Sequence, residues 1–165
     1  MKKQIIVING SGGAGKDTFV NLVSKYVPTM NYSSVDRIKE IAKECGWDGK
    51  KTEKDRKFLS DLKYLCSQYN DLPMLYMKKN VQKFYNSENE LLFLHIREPN
   101  EISNAVILFN AKTLLIRRKS VKHIITNEAD AGVFNYNYNY VIDNDGTKEE
   151  LECKAKEFID TLSKL

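Results

Sequence analysis

The chain has 165 residues, 42% of them hydrophobic and 29% charged, with a net charge of +4. That length is enough for one domain with a continuous core, and the composition excludes a disordered or fibrous chain. The basic residues are scattered among acidic ones, which suits small anionic ligands rather than nucleic acid as the main partner. Three cysteines, Cys45, Cys66 and Cys153, are far apart and include no CxxC pair, so neither a disulfide framework nor a zinc site is expected.

In chain order, Gln4–Asn9 is a β-branched run that reads as a buried strand; its apolar core is too short for a signal peptide. A glycine-rich stretch follows, then Phe19, Val20, Val23, Tyr26 and Val27 at helical spacing. Residues 31–33 read as a short strand. Ser34 stands where a helix N-cap would, ahead of Val35, Ile38, Ile41, Ala42 and Cys45, and Gly46-Trp47-Asp48-Gly49 ends that helix. Two more helices come next. One carries Phe58, Leu59, Leu62, Leu65, Cys66 and Tyr69 as an apolar stripe; the other starts near Pro73 and carries Met74, Met77, Val81 and Phe84. Leu91–Ile96 is a strand buried on both faces, followed by a helix over about 100–109 and a strand at 113–117. Residues 118–137 are polar and irregular. Tyr138–Asp143 reads as the last strand, with the Phe134–Tyr140 alternation as its half-buried beginning. Thr147 and Glu150 predict a capping box for a closing helix.

Strands alternating with helices predict an α/β fold: three layers around a mainly parallel five-stranded sheet, in one domain over 1–165. Residues 35–86 form a helical region able to cover a substrate, and 118–137 a short lid. No stretch reaches transmembrane length, and a cytoplasmic, monomeric or homodimeric protein without a membrane partner is expected.

The loop between the first strand and helix carries the chemistry. Gly10-Ser11-Gly12-Gly13-Ala14-Gly15-Lys16 supplies GxxxxGK between a strand and a helix, the P-loop (Walker A) arrangement. Its glycines let successive amides line a concave anion nest, and the helix beginning at Gly15 points its positive end at the same phosphates. Lys16 reaches the β- and γ-phosphates of ATP, and Thr18 the α-phosphate. Asp17 stands where Ser or Thr usually holds Mg²⁺. A carboxylate binds that hard cation well, and the alternative role for Asp17 is a hydrogen bond to substrate.

The run Gly15-Lys16-Asp17-Thr18 resembles the GKD loop of the nucleoside-monophosphate-kinase-like branch, which includes deoxynucleoside monophosphate kinases and animal-type phosphomevalonate kinases. The C-terminal run Tyr140–Thr147 with Glu149-Glu150-Leu151 is similar to the closing strand, turn and helix of such kinases. That resemblance places Asn144 to Thr147, including Gly146, against the adenine. It also puts Ser34–Glu40 in the substrate-covering helix and His95–Glu98 at the central strand end, and it makes Arg117, Arg118, Lys119 and Lys122 the basic residues of the lid.

Asp36 and Arg37 are therefore candidate substrate contacts. Arg97, ending a buried strand, is a candidate for substrate and transition-state contact, the alternative being an ion pair with Glu98 or Glu101. Arg117 or Arg118 contacts phosphate or lies solvated. Asp55, Arg56 and Asp61 read as a solvated helix face, and neither His95 nor His123 shows a catalytic pattern. The expected reaction is transfer of the ATP γ-phosphoryl group to a small phosphorylated acceptor, a (deoxy)nucleoside monophosphate, with Mg²⁺. Such an acceptor is already anionic and needs no general base. The alternatives are a regulatory nucleotide-binding protein and a kinase for a non-nucleotide phosphate monoester. A partner-driven ATPase is disfavoured because Leu91–Ile96 ends in Arg97-Glu98 rather than Asp.

Overall fold

The computed structural model describes residues 2–119 and 133–164. Five strands, β1 (Gln4–Asn9), β2 (Thr29–Ser33), β3 (Leu91–His95), β4 (Lys112–Arg117) and β5 (Tyr140–Asp143), lie in the order β2-β3-β1-β4-β5. Every pairing is parallel. Parallel strands need crossovers: α1 (Lys16–Val23) joins β1 to β2, α2 (Asp36–Glu44), α3 (Glu53–Asn70) and α4 (Leu72–Tyr85) join β2 to β3, and α5 (Pro99–Phe109) joins β3 to β4, while α6 (Lys148–Ser163) follows β5 as the closing helix.

The period of two along each strand sorts side chains between two cores. Ile6 and Ile8 of β1, with Leu91 and Phe93 of β3, face α1 and α6. Ile5 and Val7, with Leu92 and Leu94, face Met77, Val81 and Phe84 of α4 and Ile102 and Ala105 of α5. Phe158 of α6 meets Phe19 edge-on at 5.6 Å and Tyr140 at 5.3 Å, binding the last helix to α1 and to the far strand. Burying a phenylalanine this way contributes about 1.5–3 kcal/mol.

Three details depart from the sequence reading. The N-cap of α2 is Val35, not Ser34; Ser34 is buried, and the Asp36 carboxylate accepts from the Ser33 amide at 2.7 Å. At α6, Thr147 caps the Glu150 amide as expected, while the Glu150 carboxylate lies over Gly146. The reciprocal capping box belongs to α3, between Thr52 and Asp55, so Asp55 is engaged rather than merely solvated. The last strand begins at Tyr140; residues 133–139 are irregular rather than strand.

Helix α3 departs most. None of its residues is buried: Phe58, Leu65 at 63% and Tyr69 at 89% exposure face outward, although they complete the apolar stripe. Of the proposed lid, 120–132, including Lys122 and His123, lies outside the described residues.

Candidate functional site

In the order β2-β3-β1-β4-β5, the chain leaves β1 toward β2 on one side and leaves β3 toward β4 on the other. This reversal opens a crevice at the carboxyl ends of β1 and β3, where open α/β sheets bind ligands. The register brings Ile8, His95 and Ser33 level across that end.

The glycine-rich loop rises from this point. Gly13 and Gly15 have φ of 78° and 97°, interleaved with residues of non-positive φ, and this alternation turns successive amides to one side to make an anion nest. The Ala14 amide donates to the Ser11 carbonyl at 3.1 Å, closing the loop. Two glycines are obligatory for separate reasons. A Cβ on Gly10 would strike the Ile116 carbonyl oxygen of β4, and one on Gly15 would strike the Asn144 amide nitrogen. Lys16 opens α1, and its ammonium donates to the carbonyls of Gly10 at 2.5 Å and Ser11 at 3.0 Å, which keeps it at the mouth of the nest. Asp17 and Thr18, in the first turn of α1, are exposed.

The carboxylate of Asp17 lies 4.0 Å from His95 Nε2. Burial pushes the His95 imidazole down to about 4, so at neutral pH it is uncharged and this contact is not an ion pair. Its Nε2 is buried and has no hydrogen-bond partner, which is unusual for a polar atom in a core. The sequence reading gave His95 no role. The available signal is a lone polar residue within the apolar run Leu91–Ile96, which looks the same whether it is functional or structural. Lys16, Asp36 and Lys39 also act electrostatically on His95, so these side chains share one neighbourhood beside the loop.

The remaining candidates are distributed around this centre. Asn144 is buried; its side-chain amide donates to the Ala14 carbonyl at 2.8 Å and its own amide donates to the Arg117 carbonyl at 2.7 Å. It therefore braces the phosphate loop from the β5 side. Gly146 lies exposed beyond it. Arg97 is exposed at the end of β3, and its carbonyl accepts from Asn9. Arg37 turns to its own helix, pairing with Glu40 at 2.8 Å and approaching Glu44 at 4.0 Å. Arg117 makes a bidentate pair with Asp143 at 2.7 and 2.9 Å across β4 and β5, and Arg118 is exposed. Reaching a phosphate from Arg117 requires that pair to open.

Glu98 and Glu101, weighed as partners for Arg97, are both held by Lys63 of α3, at 2.6 and 2.9 Å. The Lys63 side chain is only 13% exposed, so this triad fastens α3 to the start of α5. Burial, together with the neighbouring Glu98 charge, pushes Glu101 up to about 7, while Lys63 holds Glu98 down. A raised carboxyl contributes stability below its unfolded value and loses it as pH rises through the folded value. Glu101→Gln is therefore expected to gain stability relative to the parent between about pH 5 and 8, by roughly 1–3 kcal/mol, with little further change at lower pH. Calorimetric melting of both proteins across that range measures it; parallel curves would show that Glu101 does not carry the proton.

Among the described residues, no group of three or more His, Cys, Asp or Glu side chains is placed to hold a metal. One exposed carboxylate beside a phosphate nest nonetheless fits a hard cation that takes its other ligands from nucleotide phosphates and water. No helix among the described residues is long and apolar enough to cross a membrane.

No family model matches the chain, and neither does any curated protein sequence. Solved structures do match it over nearly its whole length. The Thermus thermophilus protein TT1252 is 19% identical with a TM-score of 0.57, covering 98% of this chain and 99% of its own. The tunicamycin resistance protein of Deinococcus radiodurans is 13% identical with a TM-score of 0.56, covering 95% and 96%. A shikimate kinase from Bacteroides thetaiotaomicron is 15% identical with a TM-score of 0.53, covering 97% and 98%. The shared property is the fold, which in this chain is a five-stranded parallel sheet flanked by helices.

Proposed function

We propose that this chain is an ATP-dependent phosphotransferase acting on a small acceptor. The observation that carries the proposal is the nest at Gly10–Gly15 with the Lys16 ammonium at its mouth, at the switch point of a parallel sheet. Phosphoryl transfer needs little covalent chemistry from a protein; it needs the polyphosphate held, its charge offset and water kept away. The loop amides and Lys16 hold the β- and γ-phosphates. Asp17 is the residue that would hold the Mg²⁺ of the nucleotide, a cation that neutralises phosphate charge. Arg97 lies at the acceptor side, and the α3–α4 hairpin is the cover, fastened through Lys63. The shikimate kinase among the fold relatives, and the resemblance of the loop to nucleoside monophosphate kinases, support a kinase.

The acceptor we propose is a (deoxy)nucleoside monophosphate, whose phosphate oxygen is an anionic nucleophile and needs no base. A second reading is favoured by one observation: the crevice beside the loop holds two carboxylates, Asp17 and Asp36, and an uncharged His95. That combination suits an acceptor hydroxyl better than a second dianion. A coupled ADP-release assay with nucleoside monophosphates and with hydroxyl-bearing sugars and cyclitols decides between them. Turnover stimulated by one set identifies the acceptor class; ATP consumption unaffected by every acceptor would exclude the kinase reading.

A further inference from the structure

Asn9, the last residue of β1, has a fully buried side chain just before the chain leaves the sheet to make the phosphate loop. A buried primary amide must find partners for its oxygen and its two N–H groups. Here the oxygen accepts from the Gly10 amide at 2.8 Å, and the nitrogen donates to the Tyr138 hydroxyl at 2.8 Å and to the Arg97 carbonyl at 3.3 Å. The Tyr138 hydroxyl has one proton, which it donates to the Val133 carbonyl at 2.7 Å. Toward Asn9 it can therefore act only as an acceptor. A carbonyl likewise only accepts, so Tyr138 and Arg97 together fix which end of the Asn9 amide faces Gly10.

From this chain of bonds we infer that Tyr138 is a positioning residue for the phosphate loop, acting through Asn9 on Gly10. The segment 133–139 that carries Tyr138 runs from the end of the proposed lid, 118–137, to β5, so the loop's entrance is tied to a part of the chain 129 residues away. The ring is fixed against Tyr136, with centroids 5.2 Å apart, and packs on the α4–α5 core. Burial raises the phenol to about 12, so the hydroxyl keeps its proton and its hydrogen-bond direction at any physiological pH. At Gly10 a shift is not easily absorbed, because the Ile116 carbonyl crowds it from β4. Losing the hydroxyl leaves the Asn9 nitrogen with only its longer 3.3 Å bond to the Arg97 carbonyl, so the oxygen that accepts from the Gly10 amide is held less firmly.

This inference rests on the proposed function only in requiring a polyphosphate in the loop, and ATP itself is the probe. Tyr138→Phe keeps the ring and removes the hydroxyl. Expected are an approximately tenfold weaker Kd for ATP by calorimetry and a shifted Gly10 amide resonance. In a kinase assay, KM for ATP would rise with kcat nearly unchanged. A merely structural role would lower Tm and leave Kd and the Gly10 resonance where they were, which would overturn the inference. Should the variant fold poorly, 3-fluorotyrosine labelling of the parent chain gives the same answer by reciprocity. ATP is then expected to shift the Tyr138 signal and leave Tyr26, which hydrogen-bonds Glu152 of α6, unmoved. An unshifted Tyr138 signal at saturating ATP would overturn it as well. If the parent chain binds no ATP, it is the reading of the loop that fails, and the two failures are distinct.

Discussion

Lys16→Ala is expected to weaken ATP binding about a hundredfold or more while leaving the fold standing. The Lys16 ammonium sits at the mouth of the nest, held by the Gly10 and Ser11 carbonyls. Charge-assisted bonds from a lysine to phosphate oxygens, in a site partly shielded from water, are worth about 3 kcal/mol. The contacts the ammonium makes with those two carbonyls are local and replaceable by water, so the change in stability should stay within about 1 kcal/mol. Calorimetry of ATP binding next to thermal melting separates the two effects. Lys16→Arg is expected to recover little, because a planar guanidinium is not a compact point charge. An unchanged Kd in the alanine variant would mean that the polyphosphate binds elsewhere.

Gly15→Ala is expected to be strongly damaging for its size. At φ 97° any L-residue is strained, by about 1–3 kcal/mol. The added methyl also falls on the Asn144 amide nitrogen, which donates to the Ala14 carbonyl. Displacing that buried strut adds overpacking of about 1–3 kcal/mol. Denaturant unfolding is therefore expected to show a loss of roughly 3 kcal/mol, and ATP binding to fail with it, because the start of α1 moves. The double variant Gly15→Ala/Asn144→Ala should recover the overpacking part and none of the backbone part. Gly12→Ala is the control: nothing lies within 4 Å of its Cβ position and its φ is not positive, so stability should change by less than about 0.5 kcal/mol. A Gly15→Ala protein as stable as the control would contradict the placement of Asn144 against the loop.

Helix α3 shows where pattern reading stops. The spacing of Phe58, Leu62, Leu65 and Tyr69 is that of a core stripe, yet the helix is attached to the rest by half-buried side chains, Leu59, Leu62 and Cys66 among them, and by the Lys63 triad, while Phe58, Leu65 and Tyr69 stay outside. Periodicity reports that a helix has an apolar side; it does not report that the sheet already has its helices. Both faces of this sheet are covered by α1 and α6 and by α4 and α5, leaving no sheet surface for α3.

Arg117 and Asp36 show the same limit on the polar side. Strand ends and helix starts are visible in the chain, and so the sequence points both residues to the binding end of the sheet. Whether a charged group there is available depends on what lies opposite. For Arg117 it is Asp143, brought level by the β4–β5 register, and for Asp36 it is the Ser33 amide. His95 is hidden in the sequence for the converse reason: the charged groups that act on it are Asp17, Lys16, Asp36 and Lys39, and none of them is a sequence neighbour.

From the sequence alone came the strands, the order of helices, the phosphate loop and its lysine, because each is set by interactions within a few residues: β-branched runs, helical spacing, caps, and glycines where the backbone must turn. The tertiary structure alone decided what supports that loop. Asn144 reaches Ala14 across 130 residues and Tyr138 reaches Asn9 across 129. Such contacts follow from which strands lie side by side, and strand order is settled by the burial of whole faces, a global balance that no local stretch of sequence records.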